Sequence, residues 1–452
     1  MDCNQINNIS PVDGRYHSST EALRKYFSEA ALIRYRVFVE IQYFIALCQC
    51  GLPELRGVSE GDKKKIININ NNFSEKDTLR IKEIEKITNH DIKAVEYFIK
   101  ENFETIGLAR YNEFVHFGLT SQDVNNTAIP LSLKEGVHEV IVPQLNSLMG
   151  RLKSKSKEWI DTPMLSHTHG QPASPTTMGK ELYVFYNRLQ QQIDQLHESQ
   201  FPAKFGGAVG NFNAHKVAYP DVDWVDFAEQ FVNNTLKLKR SQVTTQIEHY
   251  DNLAAIFDTL KRISNIIIDL NRDMWSYISM DYFKQKIKQG EIGSSAMPHK
   301  VNPIDFENSE GNAGIAIALF EHFSSKLPVS RLQRDLTDST VLRNIGVPLA
   351  HMLIAITASI RGLDKLIINR KAIDHDLGEN WMVLSEAIQT VLRKLNFPQP
   401  YEKLKELTRT NDKIDSKAIR EFISNLDIDP KEKEKLLKLT PFNYTGIMPE
   451  ID

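Results

Sequence analysis

Two adjacent serines, one lysine and an Asn-Pro pair stand close together in Gly293-Ser294-Ser295-Ala296-Met297-Pro298-His299-Lys300-Val301-Asn302-Pro303. A serine hydroxyl is a poor base until its surroundings activate it. Backbone N–H groups at a glycine turn, with Lys300 nearby, are surroundings that steady a developing negative charge. Gly293 and the flanking Gly290 let the backbone turn where a side chain would forbid it. Asn302-Pro303 reads as a helix start, with Asn as the cap and Pro at the first helical position. Free N–H groups at such a start meet anions well. The same residues also suit a plain connection between helices, and local chemistry alone does not choose.

Other stretches carry similar chemistry. Ser166-His167-Thr168-His169-Gly170-Gln171-Pro172 has two histidines in one extended or looped segment, without a third ligand at helical spacing. Proton transfer and hydrogen bonding suit it better than metal. Arg331, Arg334, Asp335, Asp338, Ser339, Thr340 and Arg343 cluster before an apolar run. Three arginines with hydroxyls suit phosphate or carboxylate, although a surface charge network has the same composition. Arg15 and Tyr16 follow a glycine in a turn-rich opening. Thr88-Asn89-His90-Asp91 and Thr120-Ser121-Gln122-Asp123 are polar helix starts, and capping by Asn89 or Asp91 explains the first as well as a polarised His90 does.

The elements that must position these groups are helical. Leu23 to Cys50 has apolar residues three or four apart. A run from Ser121 to about Lys155 is roughly 50 Å long if straight, with bends expected at Gly136 and Pro143. Gln246 to Gln289 lacks glycine and proline and as one helix would span about 65 Å. Its stripe Leu253, Ile256, Phe257, Leu260, Ile263, Ile266, Ile267 and Leu270 argues for a bundle, completed by other subunits. The Gly-rich stretch around Gly206-Gly207-Ala208-Val209-Gly210 lacks the Gly-Lys-Ser/Thr ending of a nucleotide loop and reads as an ordered connection. No alternating strand pattern stands out.

The chain has 452 residues, a net charge of −3, 41% hydrophobic and 25% charged residues. That is an ordinary globular composition with two to three domains expected. It gives no reason to expect nucleic acid, so an anionic substrate must be held by local cations. Cys3, Cys48 and Cys50 form no disulfide framework, and with no signal-like N-terminus or long apolar span the expected place is the cytoplasm, off the membrane.

The motif Gly-Ser-Ser-x-Met-Pro-x-Lys-x-Asn at 293–302 resembles the signature of the fumarase/aspartase superfamily. The segments 10–16, 88–97, 120–126, 168–172, 245–248, 293–312, 326–343 and 401–409 are similar to its nucleotide-cleaving branch, so the resemblance covers nearly the whole chain. It implies an all-α protomer of three domains, 1–110, 111–362 and 363–452, with the long helices of four chains in one bundle. The implied reaction is elimination of fumarate from succinylated purine nucleotides, in purine synthesis, without metal or organic cofactor. By resemblance Ser294 is the general base and His169 the general acid. Ser295, Lys300, Asn302, Thr120, Ser121 and Gln246 would hold the succinyl part. Arg15, Tyr16, Asn308, Arg334, Ser339, Thr340, Val341, Leu342 and Arg343 would hold the nucleotide, with Asn89, His90 and Asp91 lining the site. His167 stands where relatives often carry arginine, which leaves the bracing of the His169 loop open. Ser121 and His169 flank opposite ends of a long helical run, so a shared site in a homotetramer is expected. The alternatives are another fumarate-releasing member, such as argininosuccinate lyase, and a non-catalytic scaffold of the same fold.

Overall fold

The structure, a computed structural model, describes residues 6–286, 297, 300–408 and 414–451, with the backbone alone at 406–408. Ser294, Ser295, Gly290, Gly293 and Arg409 lie outside the described residues. In chain order the elements used below are α1 (Glu29–Gln49), α2 (Asp91–Thr105), α3 (Ser121–Gly136), α4 (Val142–Trp159), β1 (Pro163–Thr168), β2 (Gln171–Thr177), α5 (Met178–Glu198), β3 (Pro202–Lys204), β4 (Lys239–Ser241), α6 (Asp251–Ser279), β5 (Phe283–Gln285), α7 (Ile304–Lys326), α8 (Thr337–Leu342), α9 (Gly346–Lys365) and β6 (Leu366–Ile368). Helices dominate, as the all-α reading expects. The described strands form two-stranded ladders only: β1–β2 and β5–β6 antiparallel, β3–β4 parallel. Three-residue strands are too short to show alternation, and β2 hides its character behind Pro172 and Pro175.

The chain divides into two compact units. The first comprises Met1–Leu145, Gln192–Asn265 and Gly311–Ile356. Its core helix is α1, started by Ser28, whose side chain accepts from the Ala31 N–H at 3.1 Å. Ile33, Val37, Val39, Ile41, Phe44 and Leu47 on α1 are all buried, and so are the charged Arg36 and Glu40, so the helix sits inside the unit. α1 packs along α3. Phe27 wedges between two glycines: a Cβ at Gly136 or Gly346 would stand 2.6 or 2.5 Å from Phe27 side-chain atoms. The expected bends at Gly136 and Pro143 resolve into one π-helical turn, Val137–Ile141, which those two residues bracket. An extra residue in the turn re-aims the helix without breaking it.

The long helix expected from Gln246 to Gln289 is shorter, Asp251–Ser279. Tyr250 and Asp281 adopt positive φ, 64° and 59°, which stops helical hydrogen bonding at both ends. Every residue of its apolar stripe is 6% exposed or less within the single chain, so the stripe does not by itself argue for a second copy. The segment 337–365 has the hydropathy of a membrane span, yet 67% of its apolar window is buried in the protein, as in a core helix.

The second unit comprises Asn146–Gln191, Ile266–Glu310 and Thr357–Asp452. Buried Asn271, Ser309 and Ser359 close a hydrogen-bonded ring: Asn271 donates to Ser309 at 2.7 Å, Ser359 donates to Asn271 at 2.9 Å, and the two serines are 2.8 Å apart. Such a ring satisfies polar groups that burial would otherwise penalise. Past β6, Leu384, Ile388, Leu392, Leu404, Ile419, Ile423 and Leu436 form a separate apolar cluster. The second unit also carries the β1–β2 hairpin. Its two-residue loop, His169-Gly170, has positive φ at both positions, 54° and 72°, the pattern of a type I′ turn.

Candidate active site

In the first unit, helix starts and one arginine-rich turn bring several of the named residues together. Asp91 opens α2 and accepts from two guanidinium groups, Arg36 at 2.9 Å and Arg343 at 2.8 Å. Its other oxygen takes the Ile92 N–H at 2.8 Å. Burial would raise the Asp91 carboxyl, but Arg36, the Ile92 N–H and Arg343 outweigh it and hold the group below the usual carboxylate range. Arg36 also donates through Nε to Asn125 at 2.9 Å, which ties α1 to α3. Arg343 reaches Glu29 with its other nitrogen at 3.4 Å. The cap of α2 is neither Asn89 nor Asp91, as the sequence suggests, but His90. Its Nδ1 accepts from the Lys93 N–H at 3.0 Å, and this places the ring proton on Nε2. Asn89 instead ends the previous helix in the left-handed region, φ 51°. His90 and Asn89 are exposed beside Asp91.

A second group gathers around Arg334. Its guanidinium donates to Gln246 at 3.4 Å and to Ser339 at 3.3 Å, while its buried Nε has no partner among the described residues. Asp338, beside Ser339 in α8, accepts from Tyr250 at 2.9 Å, and Tyr250 in turn accepts from Asn126 of α3 at 2.8 Å. This chain of bonds fixes the arginine turn against α3 and the segment before α6. Thr340 and Arg343 are exposed, Val341 half-buried and Leu342 buried. Arg15 lies exposed over the Tyr16 ring at 6.0 Å in the opening turn.

Thr120 and Ser121 open α3 with a capping box between Thr120 and Asp123. Both are half-buried, and the next residue, Gln122, is 1% exposed with neither amide atom paired among the described residues. The composition pattern missed what lies beneath. Asp123 is fully buried and accepts from Lys204 at 2.7 Å, Gly206 N–H at 2.9 Å, Gly207 N–H at 3.1 Å and Thr120 N–H at 2.9 Å. The Gly-rich stretch is therefore an anion cradle, but the anion it cradles is the protein's own carboxylate. A second missed pair is His116 and Glu40. The His116 Nδ1 meets the buried Glu40 carboxylate; burial pushes the imidazole pKa down, and Glu40 overcomes this and raises it. The only hint in the sequence was His116 standing four residues before Thr120.

In the second unit, His169 is exposed at the hairpin tip. His167, two residues back in the strand, places Nε2 3.8 Å from Asp376, which also accepts the Tyr282 hydroxyl. The hairpin is thus braced by a carboxylate and a phenol rather than by an arginine. Lys300 is exposed, with its N–H on the Met297 carbonyl at 3.0 Å, and Asn302 and Asn308 are half-buried. The helix start falls one residue later than expected, at Ile304, with Pro303 immediately before it. Among the described residues no group of three metal-ligating side chains converges.

Comparison with known proteins adds a family. Residues 14–317 match the profile described as "Lyase", and residues 330–445 the profile "Adenylosuccinate lyase C-terminal". Adenylosuccinate lyase of Dictyostelium discoideum is 57% identical, over 99% of this chain and 98% of its own length. That of Escherichia coli (strain K12) is 47% identical, over 99% and 98%. Among solved structures, 3-carboxy-cis,cis-muconate lactonizing enzyme from Pseudomonas putida superposes with a TM-score of 0.72, covering 94% of each chain at 19% identity, a likeness of fold.

Proposed function

The chain belongs to the adenylosuccinate lyase family, and from that premise we propose how it works: it eliminates fumarate from adenylosuccinate to give AMP, and from succinylaminoimidazole carboxamide ribotide to give the carboxamide ribotide. It is a carbon–nitrogen lyase. Ser294 takes the proton from the carbon next to a carboxylate of the succinyl group. The electron pair left there forms the double bond of fumarate as the carbon–nitrogen bond breaks, and His169 gives a proton to the departing nitrogen. Lys300, Asn302, Ser295, Thr120, Ser121 and Gln246 hold the succinyl carboxylates and the aci-carboxylate that builds up between the two steps. One well-placed donor to such an oxyanion is worth about 3–4 kcal/mol. Arg15, Tyr16, Asn89, His90, Asp91, Asn308, Arg334 and Ser339 to Arg343 hold the nucleotide.

The observation that carries this reading is Arg334, held between Gln246 and Ser339 with a buried Nε unmatched. A buried donor without a partner costs about 1–3 kcal/mol, and a phosphate or carboxylate oxygen removes that cost. Arg343 likewise has a weak 3.4 Å hold on Glu29 that a phosphate would replace.

We further propose three sequence domains, 1–110, 111–362 and 363–452, a homotetramer with sites shared between copies, and a cytoplasmic location. The free thiols of Cys48 and Cys50 suit a reducing compartment. The test is fumarate release by the purified chain from adenylosuccinate, argininosuccinate and aspartate. Release from adenylosuccinate alone is expected. Absence of it, or preference for another donor, would overturn the reading.

A further inference from the structure

The buried Lys204–Asp123 pair lies outside every group assigned above to the substrate. Lys204 and Asp123 are each 0% exposed, and the lysine also donates to the Gly207 carbonyl. Asp123 is the third residue of α3, directly beneath the Thr120 N–H that it accepts. A helix N-terminus carries about half a positive charge. A full negative charge placed there would more than cancel it, and the start of α3 would repel a carboxylate. The Lys204 ammonium at 2.7 Å reverses that balance.

We propose that Lys204 is a positioning residue for the succinyl end of the substrate: it neutralises Asp123 and anchors the glycine turn that fixes the Thr120–Ser121 helix start. The inference rests on the functional reading given above, in which Thr120 and Ser121 hold the succinyl group. Three features support it. The four donors on Asp123 come from α3, from β3 and from the glycine turn, so one carboxylate sets the register of all three. The turn has no freedom to adjust, because a Cβ at Gly206 would stand 2.8 Å from the Gly210 carbonyl oxygen and Gly207 has φ of 76°. Burial lowers the pKa of the Lys204 ammonium and Asp123 only partly offsets this, while Arg334 is near enough to lower it further, so the pair sits within the field of that arginine.

The test is steady-state kinetics on Lys204→Met. The KM for adenylosuccinate should rise about tenfold or more with kcat changed less than threefold, the pattern of lost uniform binding. The inhibition constant of AMP, which lacks the succinyl group, should stay within twofold. Adding Asp123→Asn to Lys204→Met removes both charges and should bring KM back to within threefold of the parent. Should the methionine variant not fold, Lys204→Gln, which keeps an amide donor toward Asp123, gives the same reading. An unchanged KM in a folded variant would overturn the inference, as would equal weakening of AMP and adenylosuccinate, or a double variant as weak as the single. A parent chain that releases no fumarate would overturn the functional reading, and this inference with it.

Discussion

At the scale of single residues, charge placement decides what the first unit can hold. Arg334 and Arg343 face different loads: Arg334 has a neutral amide and a hydroxyl, Arg343 two carboxylates. Arg334→Met or Arg343→Met is expected to weaken binding of adenylosuccinate about tenfold or more, and of its dephosphorylated nucleoside far less, because a charge-assisted contact to phosphate is lost. Unchanged relative affinity for the two ligands, by titration calorimetry, would remove the arginines from phosphate recognition. His116 supplies a second prediction. Glu40 raises its pKa in the folded chain, so the pair stabilises fully below the unfolded value near 6.5 and loses that contribution as pH rises through the raised folded value. Urea unfolding from pH 5.5 to 8.5 should therefore show a decline in stability that Glu40→Gln abolishes. Identical pH slopes in both proteins would refute it. Neither residue's partner was readable from the chain: Glu40 lies 76 residues from His116, and Asp123 lies 81 from Lys204. Periodicity reports faces of helices, not which buried charges meet across them.

At the scale of elements, the helices were legible and their ends were not. The apolar spacing of 23–50 and of the stripe on α6 placed both in the core, since burial follows from a face that water penalises. Boundaries failed where a side chain competes for the backbone. His90 took the cap that Asn89 and Asp91 seemed suited for, and positive φ at Tyr250 and Asp281 ended α6 early. The β1–β2 hairpin reads in the sequence only as an extended or looped segment, because proline masks strand character and a bulge between Leu165 and His167 disrupts alternation. Close packing between helices gives a prediction here. A Cβ at Gly179 would stand 2.3 Å from the Ser156 carbonyl oxygen and 2.5 Å from the Ile160 nitrogen. Backbone cannot retreat as a side-chain end can, so Gly179→Ala should destabilise the chain by about 1–3 kcal/mol or more. A urea midpoint equal to that of the parent would show that α4 and α5 yield more easily than this geometry implies.

At the scale of the whole molecule, the signature at 293–303 made the family legible, although Ser294 and Ser295 lie outside the described residues. What sequence could not reveal is the company each motif keeps. Thr120, Ser121, Gln246, Arg334 and Arg343 belong to one compact unit and His169, Lys300 and Asn308 to the other. We expect sites to be completed between copies of the chain, as in a symmetric assembly. Mixing two inactive variants, Ser121→Ala and His169→Gln, then unfolding and reassembling them together, should restore part of the fumarate-releasing activity. Hybrid tetramers that stay as inactive as their parents would rule out shared sites.

His169 occupies a backbone conformation that glycine or asparagine adopts more comfortably, at the tip of a hairpin whose two-residue loop favours Asn-Gly. A side chain kept in that region costs of order 1–3 kcal/mol. His169→Asn and His169→Gly should therefore raise the melting temperature while removing the proposed proton donor, and differential scanning calorimetry beside an activity assay reads both. A selection for heat resistance alone would favour replacing a residue to which we assign the proton transfer. On that assignment, any programme of stabilising this enzyme must score turnover in every round, because at this hairpin thermal robustness and catalysis would pull the same codon in opposite directions.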